Sequence, residues 1–379
     1  MSSLGISPEL FRSVSRYDYR QQFGDIDSLI SDLKNLLLDG SYVLGKDVAA
    51  FEGAFAAYCD CQYGRGVNTG TDALIIAIRA LGIGPGDEVV TAANTFHATV
   101  AAIELSGATP VLVDADSDTF LLDLAQLPGV LTPKTKAIVP VHLFGKPLPM
   151  APVLELAERN RVLVIEDAAQ AHGARVGGRR VGSFGVAGCF SFHPSKNLAA
   201  AGDAGALVTN DAALVRKFDM YRSLGQRNQN EHLVVGLNSK MDGIQARVLS
   251  WKLPRLDEWN RSRAEIAETY RAGLCDLPIS FQATDANEVH VYHLFQIRVK
   301  GRDRLLSFLR SKGIDAIVRY PTPIHLQPAF ERWGWRRGQF PVSERLAEEL
   351  LCLPIRPAMR EEEIQFVIQA VRDFFSRSY

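Results

Sequence analysis

Residues 162–210 read VLVIEDAAQAHGARVGGRRVGSFGVAGCFSFHPSKNLAAAGDAGALVTN, and the fold is decided here. Three short runs, VLVIED (162–167), AGCFSF (187–192) and GALVTN (205–210), are apolar nearly throughout. Strands buried on both faces of a sheet read this way, whereas half-exposed strands alternate. The first run delivers Asp167 at its carboxyl end, and the second is followed by HPSK with Lys196. In an open α/β sheet ligands sit beyond the carboxyl ends of the strands. A carboxylate and a lysine are therefore offered to one place.

The same alternation continues upstream. Strand candidates are EVVTA (88–92), TPVLVDA (109–115) and KAIVPV (136–141). Helical periodicity marks DSLISDLKNLLL (27–38), DVAAFEGAFAAYC (47–59) and TDALIIAIRALG (71–82). Helices between apolar strands predict a mostly parallel sheet covered on both faces. Just before the last helix, Asn68-Thr69-Gly70-Thr71 places a glycine and hydroxyls where free helix N–H groups can meet an anion. Downstream, a long helical pattern from Asp242 to Leu274 should kink at Pro254. A strand (291–299), a helix (303–313), a second strand IDAIVRY (314–320) and a final amphipathic helix (360–375) complete the chain. The expected division is a large α/β domain over 1–250 and a smaller α+β domain over 251–379.

Composition narrows the function classes. Lys plus Arg number 42 against 43 Asp plus Glu, so there is no electrostatic case for nucleic acid or an anionic membrane. No apolar run reaches membrane-spanning length, and residues 1–20 lack the apolar core of a signal peptide. The five cysteines are scattered, with no zinc-site spacing, so no metal is expected. The chain reads as soluble and cytoplasmic.

A phosphate pocket, a strand-end carboxylate and a strand-end lysine are what pyridoxal 5'-phosphate (PLP) needs from a protein. The phosphate anchors it, the carboxylate keeps the pyridine nitrogen protonated, and the lysine holds the aldehyde as an imine. With those residues in view, SFHPSKNLAAAGDAGA resembles the lysine signature of the DegT/DnrJ/EryC1/StrS family of sugar aminotransferases, and EDAAQAHGA its cofactor-ring signature. The likeness extends through NTGTDAL, GIGPGDEVV, TFHATVAAI, PVHLFGKP, GLNSKMDGIQA and YPTPIHLQPAF, over nearly the whole chain.

The resemblance implies an aspartate-aminotransferase-type fold and a set of roles. Lys196 would carry the imine, Asp167 pair with the pyridine nitrogen, Gln170 bond the ring hydroxyl, and Phe96 stack on the ring. Gly70, Thr71 and Ser191 would hold the phosphate, with Asn238 reaching in from the second subunit of a homodimer. Substrate contacts would include His325 of the PTPIH loop and Tyr320 just before it. Independently of the resemblance, Arg222 and Arg227 flank the loop RSLGQR and could meet a nucleotide diphosphate. His193, where the family usually has Tyr, and Ala204, where it has a second Gly, bear on substrate detail.

Each residue also has a plainer reading. Asp167 could be a helix cap, Phe96 core, and Thr69 to Thr71 a bare N-cap. Surface arginines are common. His172, His193 and His325 would each by default be buried, hydrogen-bonded histidines. The expected activity is amination at C3 of a nucleotide-linked 3-keto-6-deoxyhexose from L-glutamate. Alternatives are a 4-keto sugar nucleotide, a keto-inositol, a non-catalytic regulator, or a dehydratase. The last replaces the lysine with histidine, which Lys196 opposes.

Overall fold

The computed structural model describes residues 13–376, so the first twelve residues of the leader reading lie outside it. Seven strands form the main sheet: β1 (Tyr63–Val67), β2 (Glu88–Ala92), β3 (Thr109–Val113), β4 (Thr135–Ile138), β5 (Leu163–Asp167), β6 (Ala187–Ser191) and β7 (Gly205–Thr209). Their order is β1-β7-β6-β5-β4-β2-β3. Only β7 runs antiparallel, pairing with β1 and β6, and the remaining pairings are parallel. Register sets Ile165 opposite Ala187 and Asp167 opposite Cys189. The carboxyl ends of β5 and β6 thus lie side by side.

Helices cover both faces. On one, α1 (Gly70–Ala80) and α2 (His97–Leu105) bury Ile76, Ile78 and Ile103 against Val89, Ile165 and Leu207. On the other, Phe51 and Phe55 meet Phe190 and Phe192 edge-on at 5.0–5.4 Å, with Leu249 and Leu256 in the same core. The long helical pattern divides at Pro254 into α3 (Gly243–Lys252), a 3-10 turn (Leu253–Arg255) and α4 (Leu256–Leu274), as expected of a proline inside a helix. The far half of α4 packs Ile266, Tyr270 and Leu274 into a separate core with Phe295, Ile297, Leu305 and Val367.

Strand β1 is absent from the sequence expectations, because YGRGV carries two glycines and one β-branched residue. Both glycines have a packing reason. A Cβ at Gly64 would lie 2.5 Å from the Glu52 carbonyl, and one at Gly66 2.9 Å from Met241 Cβ. The expected strand 291–299 contracts to β8 (Phe295–Arg298). IDAIVRY is not a strand: Ile317 exchanges two hydrogen bonds with Cys352, and Tyr320 then turns into a left-handed conformation (φ +56°) before Pro321. The partner of β8 is instead β9 (Leu350–Leu353). Among the described residues, no helix is long and apolar enough to cross a membrane.

Candidate active site

Asp167 ends β5 and is buried. Its Oδ2 accepts from the Thr99 hydroxyl at 2.8 Å, and its Oδ1 from the Ala169 N–H at 3.2 Å. Thr99 stands in the first turn of α2, and Thr95 steadies it at 2.9 Å. Burial pushes the Asp167 carboxyl above the usual range, against the pull of these two donors and of Lys196. A desolvated carboxylate facing a cleft is suited to a cationic partner.

Lys196 stands on the loop after β6, its N–H bonded to His193 O. Residues of α3, α4 and the segment before β8 hold this loop down. Asn197 Nδ2 donates to Asn260 Oδ1 (2.9 Å) and Val291 O (2.8 Å), Lys252 Nζ to Ala199 O (2.9 Å), and Ala201 N–H to Gln245 Oε1 (2.8 Å). Burial lowers the Lys196 amine to a pKa of about 8; the Asp167 charge holds it up and Arg319 pushes it down. Roughly a tenth of it is neutral at pH 7.

The N-terminus of α1 faces the same cleft. Thr69 is its N-cap, its hydroxyl accepting from the Asp72 N–H at 3.0 Å, so the plain capping reading is correct as far as it goes. No acceptor among the described residues meets the Gly70 or Thr71 N–H. A Cβ on Gly70 would stand 2.6 Å from Ser191 Cβ, and one on Gly205 2.4 Å from the Thr69 carbonyl. Glycines at both positions let the helix start close against β6 and β7, with the Ser191 side chain beside the free N–H groups.

These parts line a cavity of about 470 Å³, within the size range of ligand sites. Phe96 lies on its wall, 49% exposed, with its ring centroid 5.9 Å from that of Tyr320. The Gln170 amide is already engaged, Oε1 accepting from the Phe144 N–H and Nε2 donating to the Tyr320 hydroxyl at 2.7 Å. His193 lines the mouth, its Nδ1 accepting from the Ser195 N–H; it is exposed rather than buried. His172 is buried, as expected. It packs between Phe190 and Phe192, and burial lowers its pKa to about 3, so it stays neutral.

Two of the expected substrate contacts stand outside this chain's cleft. Arg222 does not line the cleft: it is buried, bonded to Glu52 Oε1 (2.5 Å), Asp219 Oδ1 (2.7 Å) and Gly66 O (2.8 Å). Its charge is consumed in tying α-helical and β1 segments together. His325 also lies outside the lining, turned inward with Nε2 2.9 Å from Glu344 Oε1 and its ring edge-on to Phe340. Asn238 is exposed and outside its own chain's lining, its carbonyl accepting from Asn68 Nδ2 at 3.0 Å. Thr99, Arg319 and His293 were missed. Only TFHATV carried a signal, since it starts a helix beside a strand end.

The donor set fits PLP: free helix N–H groups for a phosphate, a buried carboxylate for a pyridinium, and an amine held partly neutral. Residues 25–372 match the DegT/DnrJ/EryC1/StrS aminotransferase family, and the chain belongs to it. A Streptomyces venezuelae dTDP-3-amino-3,4,6-trideoxy-alpha-D-glucose transaminase is 41% identical, covering 100% of this chain and 99% of its own. A Geobacillus stearothermophilus pleiotropic regulatory protein is also 41% identical, over 96% of this chain and 99% of its own. Among solved structures, S. venezuelae DesV in complex with a ketimine intermediate superposes with a TM-score of 0.94 at 41% identity, covering 97% of this chain and all of that one. The protein is a PLP-dependent aminotransferase of the expected α/β fold.

The burial of Lys196 makes a pH prediction for the cofactor-free protein. Only the neutral amine is nucleophilic, so acylation of Lys196 should rise with pH to a midpoint near 8, well below the ordinary lysine value of about 10.4. In Asp167→Asn, loss of the charge that favours the ammonium should move the midpoint lower. Pulse acetylation followed by peptide mass spectrometry reads both, and a midpoint above 10 would contradict the burial argument.

Proposed function

We propose that this aminotransferase places an amino group on C3 of a dTDP-linked 3-keto-6-deoxyhexose, taking it from L-glutamate. The observation that carries the chemistry is the meeting of Asp167 and Lys196 in one cleft beside the free N-terminus of α1. The substrate is supported by the full-length similarity to a transaminase named for a dTDP-3-amino sugar.

When bound, PLP supplies an aldehyde carbon that exchanges amino groups and an electron-accepting ring. Gly70, Thr71 and Ser191 would seat its phosphate. Asp167 would keep the ring nitrogen protonated, Phe96 would cover a ring face, and Gln170 would turn its remaining N–H to the ring hydroxyl. Lys196 Nζ would anchor the cofactor covalently. Once released by the donor, it would take the proton from the donor's α-carbon and return it in the transfer; a pKa near 8 suits both directions. Tyr320 and His193, which line the cleft, would offer polar groups to the sugar.

The proposed assembly is a homodimer in which Asn238 completes the phosphate seat of the second subunit. Support comes from its exposure and from the exposed apolar side chains on its arm, Leu224, Leu233 and Val235, the last 88% exposed. A boundary near residue 250, giving domains 1–250 and 251–379, is supported by the separate core around Tyr270 and Phe295. The proposed compartment is the cytoplasm, which suits five unpaired cysteines. A second reading, regulation without catalysis, is favoured by the name of the Geobacillus relative.

Turnover separates these readings. With L-glutamate, the dTDP-3-keto-6-deoxyhexose should yield 2-oxoglutarate at least tenfold faster, as kcat/KM, than a 4-keto sugar nucleotide or a keto-inositol. That ratio needs only about 1.4 kcal/mol of differential binding. Preference for either alternative would overturn the substrate, and no turnover with any would favour the regulator.

Subunit mixing tests the shared site. Inactive Lys196→Ala mixed with inactive, folded Asn238→Ala gives heterodimers with one doubly defective site and one intact site. Full exchange at equal ratio should return about a quarter of the parent activity, because half the dimers then hold one good site in two. Demonstrated exchange without returned activity would mean that Asn238 serves its own chain.

A further inference from the structure

Arg319 lines the cleft that holds Lys196 and Asp167, and the function described above gives it no task. Its guanidinium makes no hydrogen bond or ion pair with any described residue. By contrast, the buried guanidiniums of Arg222, Arg263 and Arg356 are each bound to carboxylates or carbonyls. A half-buried cation kept without an anion in a ligand cleft is placed for a ligand's anion.

The backbone is shaped to aim it. Ile317 is fixed by its paired bonds to Cys352, at 2.8 and 3.2 Å. In an extended chain neighbouring side chains point to opposite faces, yet Arg319 and Tyr320 both line the cleft. The left-handed turn at Tyr320 breaks the alternation. That conformation is unfavourable for a bulky residue and persists only where contacts hold it. Here the Gln170 amide bonds the Tyr320 hydroxyl at 2.7 Å, and the ring stacks near Phe144 at 6.1 Å.

We propose that Arg319 binds the α-carboxylate of the amino donor, so that the site selects an α-amino acid over a simple amine. The inference rests on the aminotransferase reading above and names the donor-selecting residue within it.

Several considerations favour this anion over others. Lys196 must reach the donor's α-carbon, and the α-carboxylate is bonded to that same carbon. Arg319 is close enough to Lys196 for its charge to bear on the amine. The cofactor's phosphate would have other partners, the free N–H groups at the N-terminus of α1. The diphosphate of a sugar nucleotide hangs from C1, two carbons away from the carbon that reacts. A guanidinium also matches a carboxylate with two parallel hydrogen bonds, which a lysine at this position would not.

The test uses the PLP-loaded protein and the donor half-reaction alone, followed by the change in cofactor absorbance on adding L-glutamate. Arg319→Gln should weaken apparent glutamate affinity about 10- to 100-fold, as expected for loss of hydrogen bonds between charged partners. Arg319→Lys should recover part of it, and the limiting rate should fall less than the affinity. The probe 4-aminobutyrate is glutamate without its α-carboxylate, so the parent's preference for glutamate over it should shrink by a similar factor in Arg319→Gln. Binding of dTDP, measured by calorimetry, should stay within twofold. Unchanged glutamate affinity, or a fall in dTDP affinity as large as that for glutamate, would overturn the assignment. Because no sugar is used, failure to aminate a keto sugar nucleotide would count against the proposed substrate and leave this test standing.

Discussion

Glu166 and Asp167 are consecutive on β5 and therefore point to opposite faces of the sheet, and the site depends on what the first does for the second. Glu166 is fully buried, and its two oxygens accept from the N–H groups of Gly182 (2.7 Å), Phe184 (2.6 Å) and Gly185 (2.8 Å) and from His142 Nε2 (3.1 Å). Leu148 N–H donates to His142 Nδ1, which leaves the proton on Nε2 for Glu166. A buried carboxylate is tolerable only when so fully satisfied. The bonds it collects hold the turn that leads into β6, and so fix β6 against β5. With that register set, Cys189 lies opposite Asp167, Ser191 comes up beside α1, and the loop carrying Lys196 begins where it must.

The cleft on the other face is made of groups that burial has moved away from their ordinary behaviour. Asp167 is pushed up and Lys196 down by the same loss of water, and each restrains the other's shift. Holding such groups in place is costly to stability, which explains how firmly the lysine loop is tied at Asn197, Ala199 and Ala201. Those ties come from α3, α4 and the segment before β8, so the C-terminal part of the chain contributes to catalysis by posture as well as through Arg319 and Tyr320.

Much of this was legible in the sequence because the signals are local. Strands buried on both faces announce themselves by unbroken apolar runs; Asp167 ends one such run and Lys196 follows another within a few residues. Proline at 254 kinks the long helix where a proline must. What was not legible depends on distant partners. Nothing near Arg222 says that Glu52 waits 170 residues away, or near His325 that Glu344 will take its Nε2. Thr99 reaches Asp167 across 68 positions. Strand β1 hid behind glycines that exist for Glu52 and Met241, and 314–320 has strand composition but only Ile317 pairs with Cys352 before the turn at Tyr320.

Two lysines in the chain have amines lowered to about 8 by burial, Lys196 and Lys252, and pKa alone does not distinguish them. Position does. Lys252 is closed in by Ala199 O and the Phe23 ring, whereas Lys196 faces the cleft with Asp167. Borohydride reduction of the PLP-loaded protein, followed by digestion and mass spectrometry, should therefore place one cofactor per chain on the peptide containing Lys196. Label on Lys252, or on any lysine other than Lys196, would contradict the site built here.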